Sequence, residues 1–453
     1  MTRSLTEGPL RSTLLRFTLP FVAASLLQYL YGAADLIIVG QFADAAGMAA
    51  VNTGCQVMQT VTGLVLGLAT GGTVLIGQYA GARHTQDVSR TIGTMFTFFT
   101  LLAVILTLVL TLSTDLVVEL MHVPEAAVVP ARQYFFLCAC GTVFITGYNM
   151  VSAILRGLGD SKRPMIFVAV ACVINILGDL LLVGVFRLGA AGAAIATVAA
   201  QGVSLVLSVL VLRARDFPFD FKPRSFRFWP GKTGKLVRLG GPVSLQNVLV
   251  ELSFLLITAS VNPLGLAQAA SVGVTERIIS FCMLAPIAFQ SSISAMTAQN
   301  IGAGKPERAR KALNCGLACS LVFGGAVLAL LQLFPEAAAG LFTQDPQVIF
   351  HGALYIRSYS IDCVLVCFVF CLNGFFSGCG RTGFTMVNCL AATFLIRVPM
   401  VMLIAQIPGV TMFQLGLAAP AASVLQVILQ LVYLRLGRWR TGSILAGGRR
   451  HDG

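Results

Sequence analysis

Twelve apolar runs, none shorter than 23 residues, divide this chain and restrict its fold more than any other feature. They lie at about 17–40, 48–76, 91–114, 129–155, 164–186, 189–212, 237–262, 269–297, 312–334, 349–376, 384–406 and 413–436. A helix needs about 20 apolar residues to cross the hydrocarbon of a bilayer. The chain is 57% hydrophobic and only 11% charged, whereas a soluble domain carries about 25% charged residues. An all-α polytopic membrane protein of twelve transmembrane helices is therefore expected. The first run, Phe17–Gly40, is too long for the apolar core of a cleavable signal peptide and contains Asp35.

The net charge of +13 invites a nucleic-acid reading, but its distribution argues for a membrane. Of 31 Lys and Arg, 26 lie at the N-terminus, in the C-terminal tail, or in the connectors near 82–90, 156–163, 213–238, 304–311 and 377–383. Short loops rich in Lys and Arg stay in the cytoplasm. The intervening loops carry Asp44, Asp115, Glu119, Glu125, Glu336 and Asp345. Both termini are thus expected in the cytoplasm of a cell whose plasma (inner) membrane holds the protein, which requires an even number of spans. The longest basic connector holds no nucleic-acid-binding module. It reads as a linker, with a stretch that can lie in the interface.

The two halves repeat. LLRFTLPFVAASLL (14–27) aligns with KLVRLGGPVSLQNV (235–248), IGQYAGAR (76–83) with AQNIGAGK (298–305), and ILRGLGDSKRPM (154–165) with FFSGCGRTGFTM (375–386). These pair Pro20 with Pro242, Gly81 with Gly302 and Gly157 with Gly378, at offsets of 222, 221 and 221 residues. With six spans in each half the repeat is parallel, and a substrate site is expected between the halves. The chain then divides into an N-terminal lobe (1–212), a cytoplasmic linker (213–236) and a C-terminal lobe with its basic tail (237–453).

Asn175 and Asp179 lie four residues apart inside the fifth run, so they share one helix face. A carboxylate at membrane depth costs about 2.5–3.5 kcal/mol on insertion scales and marks an ion or proton pathway by default, although holding two helices together is the competing role. Asp35 is a second intramembrane carboxylate, and Thr197 in the sixth run can face both. This all-oxygen set suits a monovalent cation such as Na⁺ or a proton; Ca²⁺ would want more ligands. At the repeat offset Asp35 falls opposite Ile257 and Asp179 near Met400. The scaffold is duplicated and the acidic pair is not, which places coupling in the N-terminal half.

Other residues carry two readings each. Pro20 removes a backbone hydrogen bond in the first run, giving either a static bend or one that answers to Asp35. Glu251, in the seventh run, either attracts cationic substrates or belongs to an ion-paired group with Glu276, Arg277, Asp362 and Arg397. Gly63, Gly67 and Gly71 have the spacing of close helix contacts. The twelve cysteines form no CxxC pair, and Cys363, Cys367 and Cys371 on one helix face are read as packing residues. The sequence GLGD at 157–160 matches an aspartyl protease signature, but Asp160 sits in a Ser-Lys-Arg-Pro loop opposite Arg381, so a turn is expected there. There is no phosphate-binding loop, so an ion gradient is expected to supply the energy, with no cofactor.

Taken together, these pieces resemble the multidrug and toxic compound extrusion (MATE) family over about 12–437. They are Pro20, Gln28, Tyr31 and Asp35, the run QYAGA at 78–82, RGLGD at 156–160, the Asn175/Asp179 pair and Thr197. The resemblance implies two six-helix lobes forming a V-shaped central cleft that opens alternately to each side. It implies a transporter, not an enzyme, that exports small-molecule drugs or organic cations in exchange for H⁺ or Na⁺. The coupling ion would sit at Asp35, Asn175, Asp179 and Thr197, with Pro20, Gln28, Tyr31 and Glu251 serving substrate binding or gating. Acids in helices 7 and 10 couple ions in some members; here Glu251 fits only with a one-residue shift and Asp362 comes one turn early. A lipid or lipid-linked-oligosaccharide flippase is the alternative, but intramembrane Arg is sparse. Expected partners are drugs and the bilayer, with no nucleic acid, for a protein acting as a monomer.

Overall fold

The computed structural model describes residues 5–42, 45–213, 217–437 and 439. Asp44 and most of the basic C-terminal tail lie outside these. Among the described residues the regular structure is helical throughout. Nine helices are long and apolar enough to cross a membrane, and three bent pairs make twelve if each pair is one span. Each of the twelve apolar runs coincides with one of these.

The first three spans are Leu10–Phe42, Ala45–Gly81 and Thr85–Leu112. The fourth is the pair Glu125–Cys140 and Thr142–Gly157, bent by 44°. The fifth runs over Lys162–Asp179 and continues through a π-helical segment, Leu180–Val185; the sixth is Gly189–Arg213. The seventh begins at Lys232 and ends at Val261. The eighth, Leu266–Cys282 with Leu284–Gly302, is bent by 41°, and the tenth, Pro346–Tyr359 with Asp362–Gly378, by 47°. Between them Pro306–Leu333 is the ninth; Thr382–Ile404 and Met412–Arg435 complete the set.

The three bends were not anticipated from the apolar runs, and each has a local cause. In the fourth span Gly141 interrupts the helix and the Thr142 hydroxyl donates back to the Cys138 carbonyl at 3.3 Å. In the eighth, Pro286 clashes with the carbonyl four residues earlier, that of Cys282, where the first segment ends. In the tenth, Gln332 of the ninth span donates its side-chain amide to the Arg357 carbonyl at 2.6 Å and to Ser360 Oγ at 3.0 Å. A side chain inserted into the backbone ladder kinks a helix.

Two compact units result. One holds Leu19–Ser244, the other Leu5–Thr18 together with Leu245 onward. The boundaries cut the first and seventh spans near their beginnings. In the first unit the start of the seventh span lies against the second. Gly71 approaches Gly240 so closely that a Cβ on it would stand 2.6 Å from the Gly240 nitrogen. Ser244 donates to the Leu64 carbonyl at 2.6 Å. Gly67, against Ser244, and Gly71 of the small-residue stripe thus perform the packing its spacing suggested. Lys232 pairs with Asp87 at 2.7 Å and lies over the Tyr79 ring. In the second unit the segment before the first span is held in the corresponding way. Leu5 donates its N–H to Gln299 Oε1 at 3.1 Å, Lys305 donates to the Thr6 carbonyl, and Arg308 to the carbonyls of Glu7 and Gly8.

The repeat holds at the level of single contacts. A Cβ on Gly157 would stand 2.9 Å from the Thr73 carbonyl oxygen, and one on Gly378 would stand 2.5 Å from that of Ser294. Each pair is separated by 221 positions from its counterpart. Gly159 and Gly380, also 221 apart, both close their helices in the left-handed region, at φ 87° and 79°. The Asp160 N–H then reaches the Leu155 carbonyl, and the Arg381 N–H that of Phe376, which is a Schellman closure.

Candidate functional site

In the first unit, three helices bring together the residues predicted from the sequence. Asp35 is carried by the first span, Asn175 and Asp179 by one face of the fifth, and Thr197 by the sixth. Asp35 is 3% exposed, Asn175 and Asp179 0%. Asn175 donates its side-chain N–H to Thr197 Oγ1 at 3.3 Å. Tyr31, one turn before Asp35, lies within hydrogen-bonding reach of Thr197 as well. The carboxyl groups of Asp35 and Asp179 lie within hydrogen-bonding reach of each other. The site is bordered by an apolar cluster that includes Val39, Val51, Tyr134, Cys138 and Val183.

The hydrogen bonding of this group is unbalanced in one direction. Asp35 Oδ1, both Asp179 oxygens and Asn175 Oδ1 are buried, and no protein donor among the described residues reaches them. Ionised carboxylates only accept hydrogen bonds. Two of them facing one another disfavour simultaneous ionisation. A proton shared by the pair, or a monovalent cation bound by the orphaned oxygens, supplies what the protein does not. The donor set is hard oxygen only, which fits Na⁺ as well as H⁺. Immediately after Asp179 the fifth span winds into its π segment, where Phe186 N–H reaches the Leu181 carbonyl at 2.9 Å. Such π turns occur mostly as isolated insertions and are frequent at functional sites.

Three neighbours were missed by sequence reasoning. Tyr134 and Cys55 are joined at 3.1 Å, and with Cys138 they stand in electrostatic reach of Asp35. Gly54 leaves room for the Tyr134 ring. Nothing in the sequence distinguished these residues from ordinary apolar packing.

Gln28 and Tyr31 line a small cavity with Tyr148, Cys172, Gln201 and Ser204. Its interior, about 20 Å³, admits a single water molecule and is far below the size of a drug pocket. Pro20 sits within the uninterrupted first span, which continues on both sides of it. In the second unit Glu251 is exposed, forms no salt bridge among the described residues, and stands in electrostatic reach of Glu276. Asp362 is 4% exposed, with Ser423 within hydrogen-bonding reach, and its Oδ1 meets no donor among the described residues. Arg397 donates to Tyr359 Oη at 3.1 Å, lies 4.4 Å from the Phe254 ring centroid, and acts electrostatically on Asp362 and Glu276. A guanidinium built into the chain thus stands among the second unit's acids. Asp160 forms a turn: its Oδ1 accepts from the N–H groups of Lys162 and Arg163, and Arg163 pairs with it at 3.1 Å. Cys367 donates to the Ser320 carbonyl, and all three cysteines of its face are buried.

The MatE family model matches this chain twice, over residues 20–181 and 242–403. The probable multidrug resistance protein YpnP of Bacillus subtilis (strain 168) is 26% identical over 96% of this chain and 97% of its own length. A crystal structure of MATE in complex with MaL6 superposes with a TM-score of 0.90 at 21% identity, covering 96% of this chain and 97% of that one. The outward-facing conformation of a multidrug resistance MATE family transporter of the MOP superfamily gives the same score, identity and coverage.

Proposed function

The chain belongs to the MatE family, and on that premise we propose that it exports organic cations or amphipathic drugs in exchange for H⁺ or Na⁺. It is a multi-pass membrane protein whose fold is that of the MATE transporters. The observation that carries the proposal is the facing of Asp35 and Asp179 without any protein donor between them. Two carboxyl groups held in this way bind one positive charge strongly, and Asn175 and Thr197, bonded to each other, complete the oxygen set. With the charge bound, the repulsion between the two carboxyl groups is relieved and the three helices carrying them can pack closely. With it released, repulsion between two buried carboxylates favours a different packing of the first span.

The first span is suited to respond, because Pro20 leaves the Arg16 carbonyl without its helical partner. Exchange requires that ion and drug favour opposite conformations, each by its differential affinity. The exposed carboxylate of Glu251 would draw cationic drugs, since its attraction is strong in a low-dielectric setting. The names of the relatives support drugs over lipids as cargo. The charge pattern supports cytoplasmic termini, with export directed away from the cytoplasm.

Asp179→Asn tests the reading, since it keeps the size of the side chain and removes its charge. Purified variant and wild-type protein in liposomes would be given an outward drug task under an imposed pH or Na⁺ gradient. The variant is expected to fold and to bind drug but not to accumulate it against a concentration gradient. Uphill transport equal to wild type under both gradients would overturn the coupling role of the pair.

A further inference from the structure

The connector between the sixth and seventh spans is folded, and its surface has a composition of its own. Phe219, Phe221 and Phe226 form a ring cluster around Phe96 of the third span, with Phe217 against Phe221; Phe96 to Phe226 is 5.5 Å, Phe219 to Phe221 and to Phe226 5.1 Å each. Trp229 donates its backbone N–H to Thr94 Oγ1 at 3.3 Å. Phe96 lies one and a half turns inside the apolar part of the third span, which begins near Thr91. The cluster therefore sits at the boundary between headgroups and acyl chains, where aromatic side chains are favoured.

Above this anchor stand four exposed cations: Arg213, Lys222, Arg224 and Arg227. Arg213 lies 5.7 Å from the Phe221 ring centroid and Arg227 3.8 Å from that of Trp229. The one exposed acid among the described connector residues, Asp220, is engaged locally. It accepts from the Ser225 hydroxyl at 2.6 Å and the Lys222 N–H at 3.4 Å, and the Ser225 bond holds its carboxyl below the usual carboxylate range. Phe226 and Phe228 are themselves exposed, at 37% and 45%. Exposed aromatics beside exposed cations, on a segment that must lie at the membrane surface because spans begin at both its ends, complement an anionic lipid headgroup on its acyl chain.

We propose that the connector 217–229 is a docking site for anionic phospholipid of the adjacent leaflet, with Arg213, Lys222, Arg224 and Arg227 meeting the headgroup and Phe226 and Phe228 the acyl region. Juxtamembrane cations near an anionic leaflet attract it in proportion to their number. The inference rests on the chain crossing a bilayer and is independent of the ion-coupling site.

The chain has two tryptophans, Trp229 and Trp439, and Trp439 is buried against Phe375. Trp439→Phe leaves Trp229 as the sole indole reporter. The protein would be placed in bilayers of equal phosphatidylglycerol and phosphatidylcholine, with the acyl chains of one or the other brominated. Brominated phosphatidylglycerol is expected to quench Trp229 more than brominated phosphatidylcholine, by an enrichment of about fivefold, falling in high salt. Lys222→Gln, Arg224→Gln and Arg227→Gln combined should equalise the two. Asp179→Asn in the same background should leave the enrichment intact, which separates this test from that of coupling. Should Trp439→Phe fail to fold, counting phosphatidylglycerol adducts on the intact protein and its triple variant by native mass spectrometry gives the same comparison. Equal quenching by both lipids, or a preference that survives the triple substitution, would overturn the proposal.

Discussion

At the scale of single residues, the two lobes treat their buried acids differently. Asp35 and Asp179 face each other with oxygens that no protein donor reaches. Asp362 also has an unpartnered oxygen, Oδ1, but it stands alone, with Ser423 within reach and Arg397 in its field. The Arg397 guanidinium stands near Asp362, whereas no Lys or Arg among the described residues pairs with Asp35 or Asp179. Asp35→Asn is therefore expected to abolish uphill transport, while Asp362→Asn should leave most of it. Transport assays in the same liposomes check this, and equal, complete loss in both variants would show coupling spread over both lobes. Glu251, exposed and without a salt bridge, is a separate case. Glu251→Gln should weaken handling of cationic drugs while neutral ones are carried as before, and equal loss for both would remove its role in attracting charge.

At the scale of elements, the spans are shaped by a few backbone decisions that recur with the repeat. Gly380 ends the tenth span at φ 79°. A side chain there costs about 1–2 kcal/mol, because a Cβ in the left-handed region meets the following carbonyl. Gly380→Ala should accordingly lower the thermal unfolding midpoint in detergent. Gly383 is the control: it is helical and has open space around its Cβ position. Gly383→Ala should be neutral or stabilising by up to about 1 kcal/mol. A loss at Gly383 as large as at Gly380 would refute the conformational explanation.

At the scale of the molecule, the positive-inside pattern and the exposed connector make topology testable. A cysteine at Arg224, in a background with the reactive native cysteines replaced, should resist an impermeant maleimide in intact cells. It should label once the membrane is opened. Ready labelling from outside would invert the orientation. The compact units also show why the repeat matches fall where they do. Residues 76–83 and 298–305 belong to the two clasps that hold the start of the seventh span and the segment before the first.

How much of this was legible in the sequence follows from which forces are local. Hydropathy needs only composition over some twenty residues, so all twelve spans could be placed. The repeat and the stripe of Gly63, Gly67 and Gly71 survive as linear patterns. Asn175 and Asp179 were legible because a charge in hydrocarbon is costly wherever it lies along the helix, and a four-residue spacing fixes their shared face. What lay beyond the sequence depends on partners distant along the chain. The bend at Ser360 comes from Gln332, a neutral glutamine on another span. Tyr134 and Cys55 join the acid site only because the fourth and second spans pack beside it. Arg397 and Asp362 acquire their meaning from each other and from Tyr359 and Ser423. The linear chain determined which residues must avoid lipid; the tertiary structure decided which of them meet, because that choice is made by close packing between helices.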